Sequence, residues 1–305
     1  MFLFLFGSSP TTTTVIGYGI FGYGFGTNAY GYVSTTAKYT YSNDTVTVGL
    51  TTLAQRYQYC GTSNGVYGLF AGGSVFSSGT SYFTSEIARY VFSTSVNTGG
   101  SGLSASKRLL AGISNSTVGV FGGGSSTTGV ALNVTEKYIY STNTIAISTA
   151  LTAARGYLAS IGTDSIGLFG GGDVNSKSTD IYTYSTDSVS AGTSLLIARD
   201  AHAGSGNKLI GIFFAGYAPS ASNTTEIYTY LTNTIVAGIT LSGAFTYLSA
   251  TGDNTKAIVG SGYASSGVPT NSSDKYTYST NTRVPGSTIG IARTCAAYSS
   301  TPGGF

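Results

Sequence analysis

Six aromatic pairs, five of the form Tyr-x-Tyr and one Tyr-x-Phe, recur along the chain at nearly constant spacing. Their first members are Tyr39, Tyr90, Tyr138, Tyr182, Tyr228 and Tyr276, giving a mean period of about 47 residues, within the range of propeller blades. Seventeen residues after each lies a position occupied by Arg56, Lys107, Arg155, Arg199, Phe245 and Arg293, five cations and one aromatic. Seventeen residues further, in the first five repeats, come Gly73, Gly124, Gly172, Gly216 and Gly262. Only the segment from that glycine to the next tyrosine varies, between 10 and 17 residues. Length variation confined to one loop per repeat places the variable loops on one face, the default binding surface of a repeat fold.

One repeat reads as four strands. The run after Arg155 reaches a polar turn at 162–164, and Ile166 to Gly172 returns as the second arm of a hairpin. Ile181-Tyr-Thr-Tyr184 alternates as a half-buried strand should, a Ser-Thr-Asp-Ser turn follows, and Val189 begins a fourth strand. No helical periodicity persists over ten residues, and the Gly-rich, Tyr-rich composition opposes helices. The glycine pair ending the second strand and the tyrosine in the third resemble the kelch motif across about residues 15–300, although the chain has no Trp. That resemblance implies an all-β, six-bladed kelch-like β-propeller of four-stranded antiparallel blades. Tyr18 to Gly24 matches Val118 to Gly124, a second strand, whereas the residues after Arg293 match a first strand. The C-terminal strand is therefore expected to pair with the N-terminal strands and close the ring. The expected organisation is an apolar extension over 1–14 and one propeller domain over 15–305.

Charged residues make up 8% of the chain and the net charge is +3, with no basic track between aromatics, so nucleic acid is not an expected partner. No membrane span is expected. The opening run Met-Phe-Leu-Phe-Leu-Phe lacks the basic flank and length of a signal peptide. A hydroxyl-rich, Tyr-rich surface on a chain without an export signal suggests assembly inside a host cell and release in a particle. In style the chain loosely resembles surface components of tailed bacteriophages.

Enzymatic readings lack parts. His202 is the single histidine, read as a core residue, and no cofactor or metal is expected. A copper-radical oxidase propeller would need two histidines, and a sialidase-like one would carry turns ending in Trp. The repeated cations are read as partners of Glu136, Asp180, Glu226 and Asp274, just before the tyrosines, with an anion-binding channel as the alternative. Cys60 and Cys295 fall on first strands of adjacent repeats, which leaves a disulfide open. Sequons at Asn43, Asn115, Asn133, Asn223 and Asn271 carry meaning only in a secretory pathway.

Two function classes follow. One is a virion structural protein contacting other virion subunits, itself or the host surface. The other is a secreted or cell-surface module binding a glycan through tyrosines and hydroxyls. The segment from Ser74 to Ile87, with Phe76, Tyr82 and Phe83, is the expected contact in either case, against local packing as the alternative. Phe2, Phe4 and Phe6 are the expected assembly contact, against an ordinary edge strand or chain end.

Overall fold

The structure is a computed structural model that describes residues 17–22, 24–26, 32–33, 35–51, 56–77, 79–173, 176–290, 292–294 and 298–300. Among them there is no helix, and strands alternate with tight turns throughout. Six four-stranded antiparallel sheets carry the fold. Sheet II orders Cys60–Ser63, Tyr67–Ala71, Ile87–Val91 and Val96–Gly100 side by side. Sheets III to VI repeat that order, starting at Ala111–Ser114, Ala159–Gly162, Ala203–Gly206 and Ser249–Gly252. Sheet I differs in its source: its first strand is Tyr298–Ser300, paired antiparallel to Tyr18–Phe21, with Thr35–Thr40 and Thr45–Thr51 outside. The two ends of the chain thus share one sheet.

Burial falls steadily from first strand to fourth. The first strands of sheets II to VI are buried at every residue, whereas the fourth strands of II and III expose three of five. First strands of consecutive sheets touch in the order II to VI, and Tyr298–Ser300 touches the first strands of both VI and II. Small residues permit this approach: a Cβ added at Gly204 would sit 2.1 Å from the Ser160 carbonyl oxygen of the preceding sheet.

The recurring tyrosines lie at the centre of this packing. Tyr39, Tyr138, Tyr182, Tyr228 and Tyr276 are fully buried, which requires a partner for each hydroxyl. That partner is the side chain five residues on, in the turn to the fourth strand: Tyr39 donates to Asp44 at 2.5 Å, Tyr138 to Asn143 at 2.5 Å and Tyr228 to Asn233 at 2.6 Å. The turn residues adopt left-handed backbone, which Asn and Asp tolerate best. Each also takes a donor from the end of the preceding sheet, as Ser101 N–H gives to Asn143 at 3.0 Å and Thr193 N–H to Asn233 at 3.2 Å. In five of the six repeats one residue therefore secures its own tyrosine and the neighbouring sheet. Between sheets VI and I the same turn residue, Asp44, is held by Lys256 at 3.1 Å and by Lys275, while Ser287 donates to its carbonyl at 2.7 Å. These lysines and the Tyr39 hydroxyl hold the Asp44 carboxyl down at about 2 against the opposing effect of burial.

Candidate functional site

Antiparallel pairing puts the start of each first strand, the end of each second strand and the variable loops at one end of the sheets. Four of the five repeated cations stand at this loop end and are occupied. Arg56 pairs with Glu86 at 2.5 Å, Arg199 with Glu226 at 2.5 Å, Lys107 with Glu136 and Arg155 with Asp180. The guanidinium groups also donate to carbonyls near the glycine turns: Arg155 to Gly171 at 2.9 Å and Ser178 at 2.6 Å, Arg199 to Ala215 at 2.8 Å and Thr224 at 3.1 Å. Glu226 accepts in addition from Leu196 N–H at 2.7 Å and Ile197 N–H at 3.0 Å. Burial pulls the Arg155 and Arg199 pKa values down while Asp180 and Glu226 pull them up. Buried ion pairs persist when such bonds satisfy both partners.

Two repeats depart from the pattern expected from spacing. In sheet II the acid is Glu86, because Ala88 stands where sheets III to VI have a carboxylate. In sheet VI Phe245 replaces the cation, and Asp274 accepts instead from Ser242 N–H at 2.8 Å, the Ser242 hydroxyl at 2.9 Å and Arg283 at 3.5 Å. Arg293 lies in the short strand Arg293–Thr294, paired with Gly24–Gly26.

Two residues beyond the first five of these positions, Gln58, Leu109, Tyr157, Ala201 and Tyr247 have left-handed backbone, with φ between 48° and 61°. A left-handed non-glycine residue costs about 1 kcal/mol. The cost is met by a chain of hydrogen bonds between equivalent residues: Leu109 N–H to Gln58 O, Tyr157 to Leu109, Ala201 to Tyr157 and Tyr247 to Ala201, at 2.7 to 3.0 Å. Spacing alone did not reveal this chain, since nothing in five different side chains marks the conformation. Below it lies a cavity of about 110 Å³, whose walls include Leu110, Tyr157, His202, Tyr247 and Ser249. His202 is 6% exposed, lies against the Phe213 ring at 5.6 Å, and has neither ring nitrogen hydrogen bonded among the described residues. Burial and the Arg199 and Arg155 charges push its pKa well below the usual value, so the ring is neutral.

The segment after Ser74 is a hairpin of Ser74–Ser77 and Thr80–Phe83, packed edge to edge on Arg56–Tyr57. Phe76 and Phe83 are half-buried, and the Arg108 guanidinium lies 4.4 Å from the Phe83 ring centre while donating to Gln58 at 2.8 Å. Tyr82 is 50% exposed. Shorter versions occur elsewhere, such as Lys107–Arg108 with Ser125–Ser126 and Phe245–Thr246 with Tyr263–Ala264. Phe2, Phe4, Phe6 and Cys295 lie outside the described residues; Cys60 is buried, with its thiol pKa pushed up by that burial. At the opposite end of the sheets, a groove of about 670 Å³ between sheets III and IV is bordered by Asn115, Thr117, Lys137, Asp164, Tyr184 and Ser185.

Among the described residues no three metal-ligating side chains gather, and no helix is long and apolar enough to cross a membrane. Neither a family model nor a curated protein matches the chain.

Proposed function

We propose that the six sheets are the blades of a closed six-bladed, kelch-like propeller, and that the protein is a non-enzymatic attachment or assembly module of a virus particle. The cyclic succession of first-strand contacts, completed by Tyr298–Ser300, supports the closed ring. The low charge and hydroxyl-rich composition support the particle setting. The observation that carries a contact role is the 74–83 hairpin: it is anchored through Arg56–Tyr57 and Arg108, yet presents Tyr82 at the loop end. Aromatic side chains so placed are typical interface anchors. The repeated cations do not serve an anion channel in this reading, because four of them are bound to acids.

Co-sedimentation tests the assignment. The chain is expected to travel with phage particles through density-gradient purification and to separate only on their disruption, with Tyr82→Ala lowering incorporation at unchanged melting temperature. Recovery of the chain only as free protein overturns it. A second reading, a carbohydrate-binding module, is favoured by the groove between sheets III and IV, whose amide, hydroxyl and tyrosine groups suit a sugar. Glycan-array binding lost in Asn115→Ala would support that reading instead.

A further inference from the structure

The chain has eleven acids, all among the described residues, and eight of them form ion pairs. Asp253 is used within its own turn, where it accepts from Thr255 N–H at 2.7 Å and Lys256 N–H at 2.9 Å. The two that remain, Asp173 and Asp200, come together. Gly172 N–H donates to the Arg199 carbonyl at 2.9 Å, so the residues that follow each, Asp173 and Asp200, flank one backbone bond at the loop end. Among the described residues Asp173 accepts from Gly156 N–H alone, at 2.7 Å, and Asp200 has no ion-pair partner. Both are partly buried. Partly desolvated carboxylates without a counter-ion cost stability.

Their surroundings fit a cation. Asp200 directly precedes Ala201 of the cavity wall, and Asp173 is tied to that wall through Gly156, the residue before Tyr157. Ala201 lies between Tyr157 and Tyr247 in the left-handed chain, and its small side chain lets the two rings meet edge to face at 5.8 Å across it. Tyr263 continues this aromatic wall at 6.0 Å from Tyr247. His202, neutral and with neither ring nitrogen hydrogen bonded among the described residues, also lines the cavity, its ring packed against Gly171 and Phe213.

We propose that this cavity mouth is a socket for an organic cation, an alkyl guanidinium or ammonium group, held by Asp173 and Asp200 with its stem against Tyr157 and Tyr247. The socket stands whether or not the chain belongs to a particle. Three neighbouring cations are already committed elsewhere: Arg199 is bound to Glu226, Arg155 to Asp180, and Arg108 to Gln58 and the Phe83 ring. Aromatic faces and carboxylates together recognise such cations with their stems desolvated.

The test titrates the full chain, at low salt, with N-acetyl-arginine amide, its neutral isostere N-acetyl-citrulline amide, and n-butylammonium, followed by NMR. The arginine compound is expected to bind about tenfold or more tightly than citrulline, and Asp200→Asn and Asp173→Asn each to remove about that factor. Both variants are expected to melt at the same temperature as the parent or higher. Binding should weaken at about pH 5 relative to about pH 7.5, as the carboxylate pair takes up a proton. Stronger binding of n-butylammonium would assign the socket to a free amine, and of the arginine compound to a partner's side chain. Equal binding of citrulline, or unchanged binding by both Asn variants, overturns the socket. So does a lowered melting temperature in both variants, which would make the two acids structural.

Discussion

Arg199 and Phe245 occupy the same place in successive repeats, and the difference between them shows what a buried cation needs. Arg199 is fully buried and satisfies Glu226 and two carbonyls, whereas in the next sheet Arg283, on the fourth strand, reaches Asp274 from the other side. Arg199→Phe alone leaves Glu226 buried without its cation, at an expected cost of about 3 kcal/mol in urea unfolding. Ile235 stands where sheet VI has Arg283, so adding Ile235→Arg is expected to restore at least part of that loss. No restoration would mean that the two sheets do not share one solution. Titration separates the acids by sign. Asp44 and Asp187 are held at about 2, below the ordinary 3.8, by lysines and tyrosine hydroxyls, so their contribution is complete above about pH 4 and is lost as pH falls toward 2. Asp200 is raised to about 6 by burial and by Asp173, so its penalty grows as pH rises from about 4 to 6. Melting temperature should therefore fall between about pH 4 and pH 6, and Asp200→Asn should flatten that fall; an equal slope in both proteins would contradict the assignment.

Among the elements, the loop-end hairpin is the one whose removal should separate stability from function. Replacing residues 76–83 with the shorter turn type of the Ser125–Ser126 repeat should leave far-UV circular dichroism unchanged and the melting temperature within about 5 °C, while abolishing the proposed attachment to particles. Loss of folding would instead make the hairpin part of the core. The strand order within each repeat was legible from the alternation around each tyrosine and from the glycine pair, because burial on one face imposes a period of two. The use of the tyrosine hydroxyls was half legible: Asn or Asp recurs five residues on in five of the repeats, but Ser95 stands there in the sixth. Glu86 and Arg283 were not legible, since each reaches its partner from a position that carries no charge in the other repeats. The left-handed chain from Gln58 to Tyr247 was hidden for a different reason, because cross-sheet hydrogen bonds fix that conformation and not the residue type. Asp173 and Asp200 lie 27 residues apart, and only the pairing of one sheet's end with the next sheet's start brings them together.

At the scale of the whole molecule, the account turns on whether the sheets close. A chain with few charges and six open fourth-strand edges gains its cohesion from the buried first strands, and an open array would leave the first and last of them uncovered. Closure would also make Asp44, with Lys256 and Lys275, part of the final junction instead of a surface cluster. A crystal or cryo-electron microscopy structure of the chain tests this most directly. The account predicts six four-stranded sheets around one axis, with Tyr298–Ser300 as the innermost strand beside Tyr18–Phe21. Density showing an open arc, or Tyr18–Phe21 with no strand on its inner edge, would contradict it.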